Sequence, residues 1–172
     1  MQTRPVRPGL ILGPRIPRTY FCTAGFGQSE AGSGVDPYET GAFDAALVAA
    51  RIENFNIVKY SSVLPPEAVE VPLEAVVQHF HHGAVLETIM AAVSAPTGHI
   101  IVAAVGRIKV YDQHGTLLGG FAAEFADTAT TGTPAEAEHQ ARQAIARSLH
   151  HECERRPRSW DRPLGLNEPP EQ

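Results

Sequence analysis

The fold is decided by three consecutive apolar runs, AVLETIMAAV (residues 84–93), HIIVAAVGRIKV (residues 99–110) and GGFAAEFAD (residues 119–127). Residues 96–98 (PTG) separate the first two runs and residues 112–115 (DQHG) separate the last two. Both separators carry the residue types that favour turns. The simplest arrangement of such runs is an antiparallel meander, so the sequence predicts one antiparallel sheet here.

Helical patterns flank these runs on both sides. Residues 40–52 (TGAFDAALVAARI) predict a helix with Thr40 as its N-cap and with Phe43, Leu47 and Val48 on one face. Residues 133–136 (TPAE) form a capping box with proline at the first helical position, followed by apolar residues at intervals of four. The sequence therefore predicts one helix before the sheet and one after it.

Two further strands are predicted nearer the N-terminus. Residues 18–24 (RTYFCTA) and 56–63 (NIVKYSSV) read as strands, and the proline pair at 65–66 must end the second one. Strands and helices in this order predict an α+β domain in which a sheet packs under helices.

Length and composition limit the classes of protein that need considering. A chain of 172 residues suits a single domain, predicted at 18–154, between proline-rich and flexible arms at 1–17 and 155–172. A net charge of -5 argues against a nucleic-acid binder. No apolar run approaches the roughly 20 residues of a membrane helix, and no secretory signal is visible, so we expect a cytoplasmic protein without a membrane partner. The two cysteines are expected to be reduced.

Two patterns that suggest ligand binding are not specific enough to carry a prediction. Gly25-x-Gly27 opens a glycine-rich loop, but Glu occupies position 30 and no Lys-Ser/Thr pair follows, so it fits neither a dinucleotide fingerprint nor a phosphate-binding loop. The histidines lack the spacing of structural zinc sites, and we expect no metal. The clustered histidines are His79, His81, His82, His150 and His151.

A serine pair, Ser61-Ser62, lies where the predicted strand 56–63 approaches the prolines. Self-cleavage at serine needs a hydroxyl that attacks the preceding carbonyl, and a backbone strained enough to favour the attack. β-Elimination from the resulting ester would leave dehydroalanine, whose hydrolysis yields ammonia and a pyruvoyl group. Serine pairs are common in loops, so this pair alone indicates a polar strand end more readily than a cleavage site.

Residues 38–65, YETGAFDAALVAARIENFNIVKYSSVLP, resemble the segment that precedes and spans the cleavage site of pyruvoyl-dependent arginine decarboxylases, especially their compact bacterial branch. The resemblance continues through HGAVLE (82–87) and LGGFAAE (118–124), and it covers roughly residues 18–152. Several separate blocks in the same order argue against a chance match. The resemblance implies a four-layer αββα sandwich, assembled as a trimer whose active sites are shared between neighbouring subunits.

The same resemblance implies cleavage between Ser61 and Ser62, which gives a β chain ending at 61 and an α chain beginning with a pyruvoyl group made from Ser62. Asn56 falls on the family's active-site asparagine, whose side-chain amide can polarise the carbonyl under attack. The alternative is that Asn56 only completes a turn at the start of a strand.

Glu124 matches the family's catalytic glutamate, which returns a proton to the α-carbon of the substrate. Ala122 and Ala126 share its face of the predicted strand. These small neighbours would leave a cavity in which partial burial raises the pKa of the carboxyl group. The alternative is an exposed glutamate on an edge strand. Glu87 is a rival acid, which alternatively pairs with an arginine such as Arg107.

Three residues are implied in substrate binding. Asp44 matches the aspartate that faces the distal positive charge of the substrate, and a carboxylate is the natural partner of a planar guanidinium. Its alternative role is to stabilise the helix dipole in the first turn. Glu39 is a weaker candidate for the same charge, and Thr40 lies where part of the family has an apolar residue lining the pocket.

The implied reaction converts L-arginine to agmatine and carbon dioxide through a Schiff base between the substrate amine and the pyruvoyl group. No pyridoxal phosphate is expected, since Lys59 and Lys109 lie in no recognisable cofactor-binding context. Two alternatives stay open: a decarboxylase of another amino acid, and an unprocessed homologue that binds without catalysis. Acid resistance and polyamine supply are both compatible with the reaction.

Overall fold

The computed structural model describes residues 16–29 and 38–155, and it contains both helices and strands. The predicted α+β class is therefore confirmed, whereas the four-layer arrangement stays a prediction. The elements in chain order are β1 (Thr19–Tyr20), α1 (Tyr38–Ala49), β2 (Asn56–Lys59), β3 (Val63–Leu64), β4 (Val69–Glu70), two short 3-10 turns (Leu73–Ala75 and Val77–His79), β5 (Val85–Thr88), β6 (Ile100–Tyr111), β7 (Leu117–Ala129) and α2 (Pro134–Arg155).

The strands β6 and β7 form the long antiparallel hairpin that the last two apolar runs predict. Their register runs from Ile100 opposite Ala129 to Val110 opposite Gly119 and shifts before Tyr111, which lies opposite Leu117. The Asp112 carboxylate accepts backbone hydrogen bonds from His114 and Thr116, each at 2.8 Å, and closes the turn. These bonds, the one from Thr116 above all, hold the pKa of Asp112 below its usual value. β3 adds to the other edge of β7.

The first apolar run does not join this hairpin, so the prediction of a three-stranded meander is wrong. Only Val85–Thr88 of that run form a strand, and β5 pairs in parallel with β2. Residues 89–99 separate β5 from β6, and this connection is longer than the roughly two to five residues of a hairpin loop. β1 and β4 form a second short parallel pair.

The core lies between the hairpin and α2. Phe121 and Ala123 of β7 are buried together with Leu149 of α2. Gly106 allows the close approach, because a Cβ at this position would overlap the side chain of Ile145. The helix begins as predicted: Thr133 Oγ1 accepts a bond from the Glu136 N–H at 3.2 Å, and a Glu136 carboxylate oxygen accepts one from the Thr133 N–H at 2.7 Å.

The helix α1 begins at Tyr38, so Thr40 lies inside it and is not the predicted N-cap. Gly25 and Gly27 lie directly against this helix, since a Cβ on either would overlap a backbone carbonyl oxygen, that of Ala46 or Ala42. This close packing explains the Gly25-x-Gly27 pattern without any ligand.

No helix among the described residues is long and apolar enough to cross a membrane. The predicted arm at 1–17 and tail at 155–172 lie outside the described residues, apart from residues 16, 17 and Arg155.

Candidate active site

The serine pair Ser61-Ser62 lies between β2 and β3, which belong to different sheets. On one side, the Tyr60 N–H donates to the carbonyl of Thr88 in β5 at 2.8 Å. On the other, the Ala122 N–H in β7 donates to the carbonyl of Ser62 at 3.0 Å. The chain therefore crosses from one sheet to the other at the predicted cleavage site.

A γ-turn centred on Ser62 makes this crossing. The Val63 N–H donates to the Ser61 carbonyl at 2.9 Å, which is the three-residue bond that defines such a turn. The strain predicted for the serine pair does not take the form of a left-handed backbone or a cis peptide bond. Among the described residues, Arg51 is the one non-glycine residue with a positive φ, and no peptide bond is cis. Instead, each carbonyl group of the pair accepts a backbone hydrogen bond, that of Ser61 from Val63 and that of Ser62 from Ala122.

Glu124 lies beside Ser62, although 62 residues separate them in sequence. The Ser62 hydroxyl is 3.2 Å from one carboxylate oxygen of Glu124 and 3.3 Å from the other, and it donates to this group. Side chains alternate along β7, so the burial of Phe121 and Ala123 under α2 places Glu124 on the opposite face. There it is exposed in the single chain, and the partial burial predicted for it is not seen.

Asn56 lies at the start of β2, whereas the serines follow the end of that strand. Its side-chain amide donates to the carbonyl of Gly83 at 2.8 Å, and its backbone N–H donates to Ala84 at 2.8 Å. The Gly83 N–H in turn donates to Asn54 at 2.8 Å. Within one chain, Asn56 therefore stabilises the turn before β5 through these hydrogen bonds. Its role as a donor to the scissile carbonyl stays a prediction.

The residues implied in substrate binding lie on α1, away from any observed contact with the serine pair. Asp44 and Thr40 are exposed, and the side chain of Glu39 lies outside the described residues. Because α1 begins at Tyr38, Asp44 is beyond the first helical turn and does not serve as the dipole partner considered above. No hydrogen bond or ion pair links Asp44 to another described residue. A guanidinium could therefore approach its carboxylate.

A polar cluster around Arg107 is a feature that the sequence did not reveal. Arg107 forms an ion pair with Glu70, donates to the Cys22 sulfur, and lies 5.4 Å from the centre of the Tyr20 ring. The hydrogen bond from Arg107 holds the pKa of Glu70 below its usual value, whereas burial raises the pKa of the Cys22 thiol. The cluster ties β1 and β4 to the hairpin.

The histidines show no common ligand geometry. In the described part of the chain, no three side chains of His, Cys, Asp or Glu come together in a way that could hold a metal ion. His150 and His151 instead lie 3.2 and 3.7 Å from the carboxylate of Glu154, along the exposed side of α2.

Comparison with known proteins gives consistent matches. Residues 19–170 match the family model for pyruvoyl-dependent arginine decarboxylase. The chain is 43% identical over 150 residues to the pyruvoyl-dependent arginine decarboxylase AaxB of Chlamydia caviae, which covers 84% of this chain and 77% of the relative. It is 43% identical over 153 residues to AaxB of Chlamydia pneumoniae, covering 86% and 78%. A shorter match, 46% over 43 residues, joins it to the pyruvoyl-dependent arginine decarboxylase of Halobacterium salinarum, covering 25% and 27%.

Proposed function

The chain belongs to the pyruvoyl-dependent arginine decarboxylase family, and we propose that Ser62 is the residue that it converts into its pyruvoyl cofactor. The reaction of the family turns L-arginine into agmatine and carbon dioxide. The observation that carries the assignment is the hydrogen bond from the Ser62 hydroxyl to the Glu124 carboxylate, at a break between two sheets.

Glu124 has the position of a general base for self-cleavage. Its carboxylate accepts the hydrogen bond of the Ser62 hydroxyl, so it can take that proton as the oxygen attacks the Ser61 carbonyl carbon. The amide bond between Ser61 and Ser62 then breaks, the Ser62 nitrogen takes up a proton, and an ester replaces the amide. Removal of the Ser62 α-proton expels Ser61 as a carboxylate, and water releases ammonia from the remaining dehydroalanine.

The surroundings of Ser62 fit a pyruvoyl group. The group keeps the Ser62 carbonyl, which already accepts a hydrogen bond from the Ala122 N–H at 3.0 Å. When present, it supplies a carbonyl that condenses with the substrate amine and accepts the electrons left by the departing carboxylate. Glu124 stays within reach of this position, and once protonated it can deliver a proton to the substrate α-carbon.

The guanidinium of arginine needs an anionic partner, and we assign that part to Asp44, with Glu39 and Thr40 beside it on α1. A bidentate contact with a carboxylate distinguishes arginine from smaller cations. Asp44 is exposed and has no described contact with the site around Ser62. The pocket therefore needs α1 of the same or a neighbouring chain to approach that site when substrate binds.

A trimer with shared active sites supplies this approach. The parallel pairing of β2 with β5 places Asn56, Val58, Tyr60, Val85 and Glu87 on one face of the sheet. Val58, Tyr60 and Val85 are exposed there to 46%, 37% and 60%, which is the character of an interface. Covering this face with a second subunit would bring the neighbour's site to Asn56. Size-exclusion chromatography with light scattering should give the mass of a trimer or a multiple of it.

We also propose that the protein is located in the cytoplasm. Cys22 and Cys153 are both free of disulfides, as is usual in a reducing compartment.

Intact mass of purified protein tests the proposal directly. We expect two fragments, residues 1–61 and residues 62–172, with the second one ammonia lighter than a chain that begins with serine. Ser62→Ala should leave one full-length chain, because the attacking hydroxyl is gone. A wild-type chain that stays full-length at equilibrium, and does not react with carbonyl reagents, would contradict the enzyme assignment and favour a binding homologue.

The substrate assignment has its own test. Asp44→Asn removes a charged partner of the guanidinium, which is worth about 1.5–3 kcal/mol, so kcat/KM for arginine should fall roughly 10- to 100-fold through KM. Carbon dioxide release from arginine, lysine, ornithine and histidine measures the change in preference. Unchanged arginine kinetics would remove Asp44 from the pocket.

A further inference from the structure

We infer that the backbone N–H of Val63 is the hydrogen-bond donor that stabilises the oxyanion formed on Ser61 during self-cleavage. The inference rests on the proposed cleavage at Ser62. The Val63 N–H donates to the Ser61 carbonyl oxygen at 2.9 Å in the uncut chain. Donors in oxyanion holes lie about 2.7–3.1 Å from the position that the charged oxygen will occupy, and the Val63 N–H already bonds to the carbonyl oxygen from which that oxyanion forms.

The position of Val63 in the strand pairing leaves its N–H available for this role. Val63 lies opposite Phe121 in the pairing of β3 with β7, and because the hydrogen bond between the strands is made at the neighbouring residues Ser62 and Ala122, the Val63 N–H points away from β7 and donates to its own chain, two residues back. The hydrogen bond between the strands at this point runs from the Ala122 N–H to the Ser62 carbonyl, at 3.0 Å. One backbone donor therefore holds each of the two carbonyl groups that flank the Ser62 α-carbon.

The side-chain amide expected to act at this carbonyl is engaged elsewhere. Asn56 donates to the carbonyl of Gly83 at 2.8 Å, at the far end of β2 from the serines. An extended strand rises about 3.3 Å per residue, so five residues separate Asn56 from Ser61 by far more than a hydrogen bond. Within one chain, the donor observed on the scissile carbonyl is the Val63 N–H.

The chemistry needs a donor at this oxygen. As the Ser62 Oγ bonds to the Ser61 carbonyl carbon, its proton passes to Glu124 and the carbonyl π electrons move onto the Ser61 oxygen. The Val63 N–H then faces a full negative charge, and a hydrogen bond to a charged acceptor is roughly twice as strong as one to a neutral acceptor. Collapse of this intermediate restores the carbonyl, breaks the bond from carbon to the Ser62 nitrogen, and returns the proton from Glu124 to that nitrogen.

A pair of substitutions at one position tests the role of the N–H. Val63→Pro removes it, whereas Val63→Thr keeps it and changes only an exposed side chain. Newly synthesised full-length chain would be followed by denaturing electrophoresis and intact mass. We expect cleavage of the proline variant to be about 100- to 1000-fold slower than that of the threonine variant, as is typical when one oxyanion donor is lost. Equal rates in two folded variants would overturn the inference.

A second variant removes the N–H without the restriction that proline places on the Ser62 backbone, and it also serves if the proline variant does not fold. Incorporation of 2-hydroxyisovaleric acid at 63 replaces the N–H by an ester oxygen and keeps the valine side chain. It should slow cleavage between Ser61 and Ser62 by a similar factor, and a wild-type rate would again overturn the inference. If the wild-type protein itself were never cleaved, the proposed function would be contradicted. Failure of the proposed function is therefore distinguishable from failure of the inference about Val63.

Discussion

Substitution of Glu124 by glutamine separates a base from a mere hydrogen-bond acceptor. Glutamine has nearly the same size, and its carbonyl oxygen can still accept a hydrogen bond from the Ser62 hydroxyl, but it cannot hold the proton. Glu124 is exposed on β7, so the change in the free energy of unfolding should stay within about 0.5 kcal/mol. A loss of self-cleavage would therefore be chemical in origin.

The expected size of the loss follows from the contact. A general base contributes about 10²- to 10⁴-fold to a rate. The Ser62 Oγ lies 3.2 Å from the nearer carboxylate oxygen, which is longer than the usual range of about 2.5–3.0 Å for such hydrogen bonds. We therefore expect the lower end, a self-cleavage rate about 100-fold slower in Glu124→Gln.

The assay follows the fraction of full-length chain with time after synthesis, at constant temperature and pH. Asp127→Asn is the matched control, because Asp127 is an exposed carboxylate on the same strand that bonds only to the N–H of Thr128 among the described residues. The control should cleave at the wild-type rate. If Glu124→Gln also cleaved at the wild-type rate, the Glu124 carboxylate would not be the general base for self-cleavage.

Two further predictions concern stability. Gly25→Ala should lower the free energy of unfolding by about 1–3 kcal/mol in urea denaturation, because its Cβ would overlap the backbone carbonyl of Ala46. Gly41→Ala, inside α1, would meet the side chain of Ser29 and no backbone atom, so it should be less destabilising than Gly25→Ala. Glu70→Gln should destabilise the protein at neutral pH, where the carboxylate pairs with Arg107. The pKa of Glu70 is lowered by folding, so its contribution is present above its usual value of 4.5 and is lost as the pH falls through the folded value. The difference in urea midpoint between wild type and Glu70→Gln should therefore shrink in acid, and a difference independent of pH would contradict this account.

The parts of the fold that the sequence predicts correctly are those with local signals. The hairpin of β6 and β7 follows from two long apolar runs and the turn at residues 112–115, all contiguous in the chain. The start of α2 follows from its capping box. By contrast, β5 pairs with β2 rather than with its successor, and no turn connects those two strands. Pairing between distant short strands depends on the whole fold, which local patterns do not encode.

The candidate site was proposed from the sequence only through the family resemblance. Spacing alone gives no reason to join Ser62 to Glu124, yet the structure brings their side chains together. The pocket for arginine is different, because Asp44 and Asn56 have no described contact with Ser62 in the single chain. If neighbouring subunits complete that pocket, as proposed, one sequence contains no direct signal of which surfaces meet.

The crossing between sheets at Ser61-Ser62 gives the proposed cut a thermodynamic consequence. β1 pairs with β4, and β2 pairs with β5, so each strand before the cut pairs with one after it. Before cleavage these pairs form within one molecule, whereas afterwards hydrogen bonds and packing alone join two polypeptides, whose association obeys mass action. Because folding brings Ser62 and Glu124 together, the proposed cleavage would take place only after the chain has folded. If a cleaved molecule unfolds, its two chains can refold together only by a bimolecular association, whose extent depends on the protein concentration.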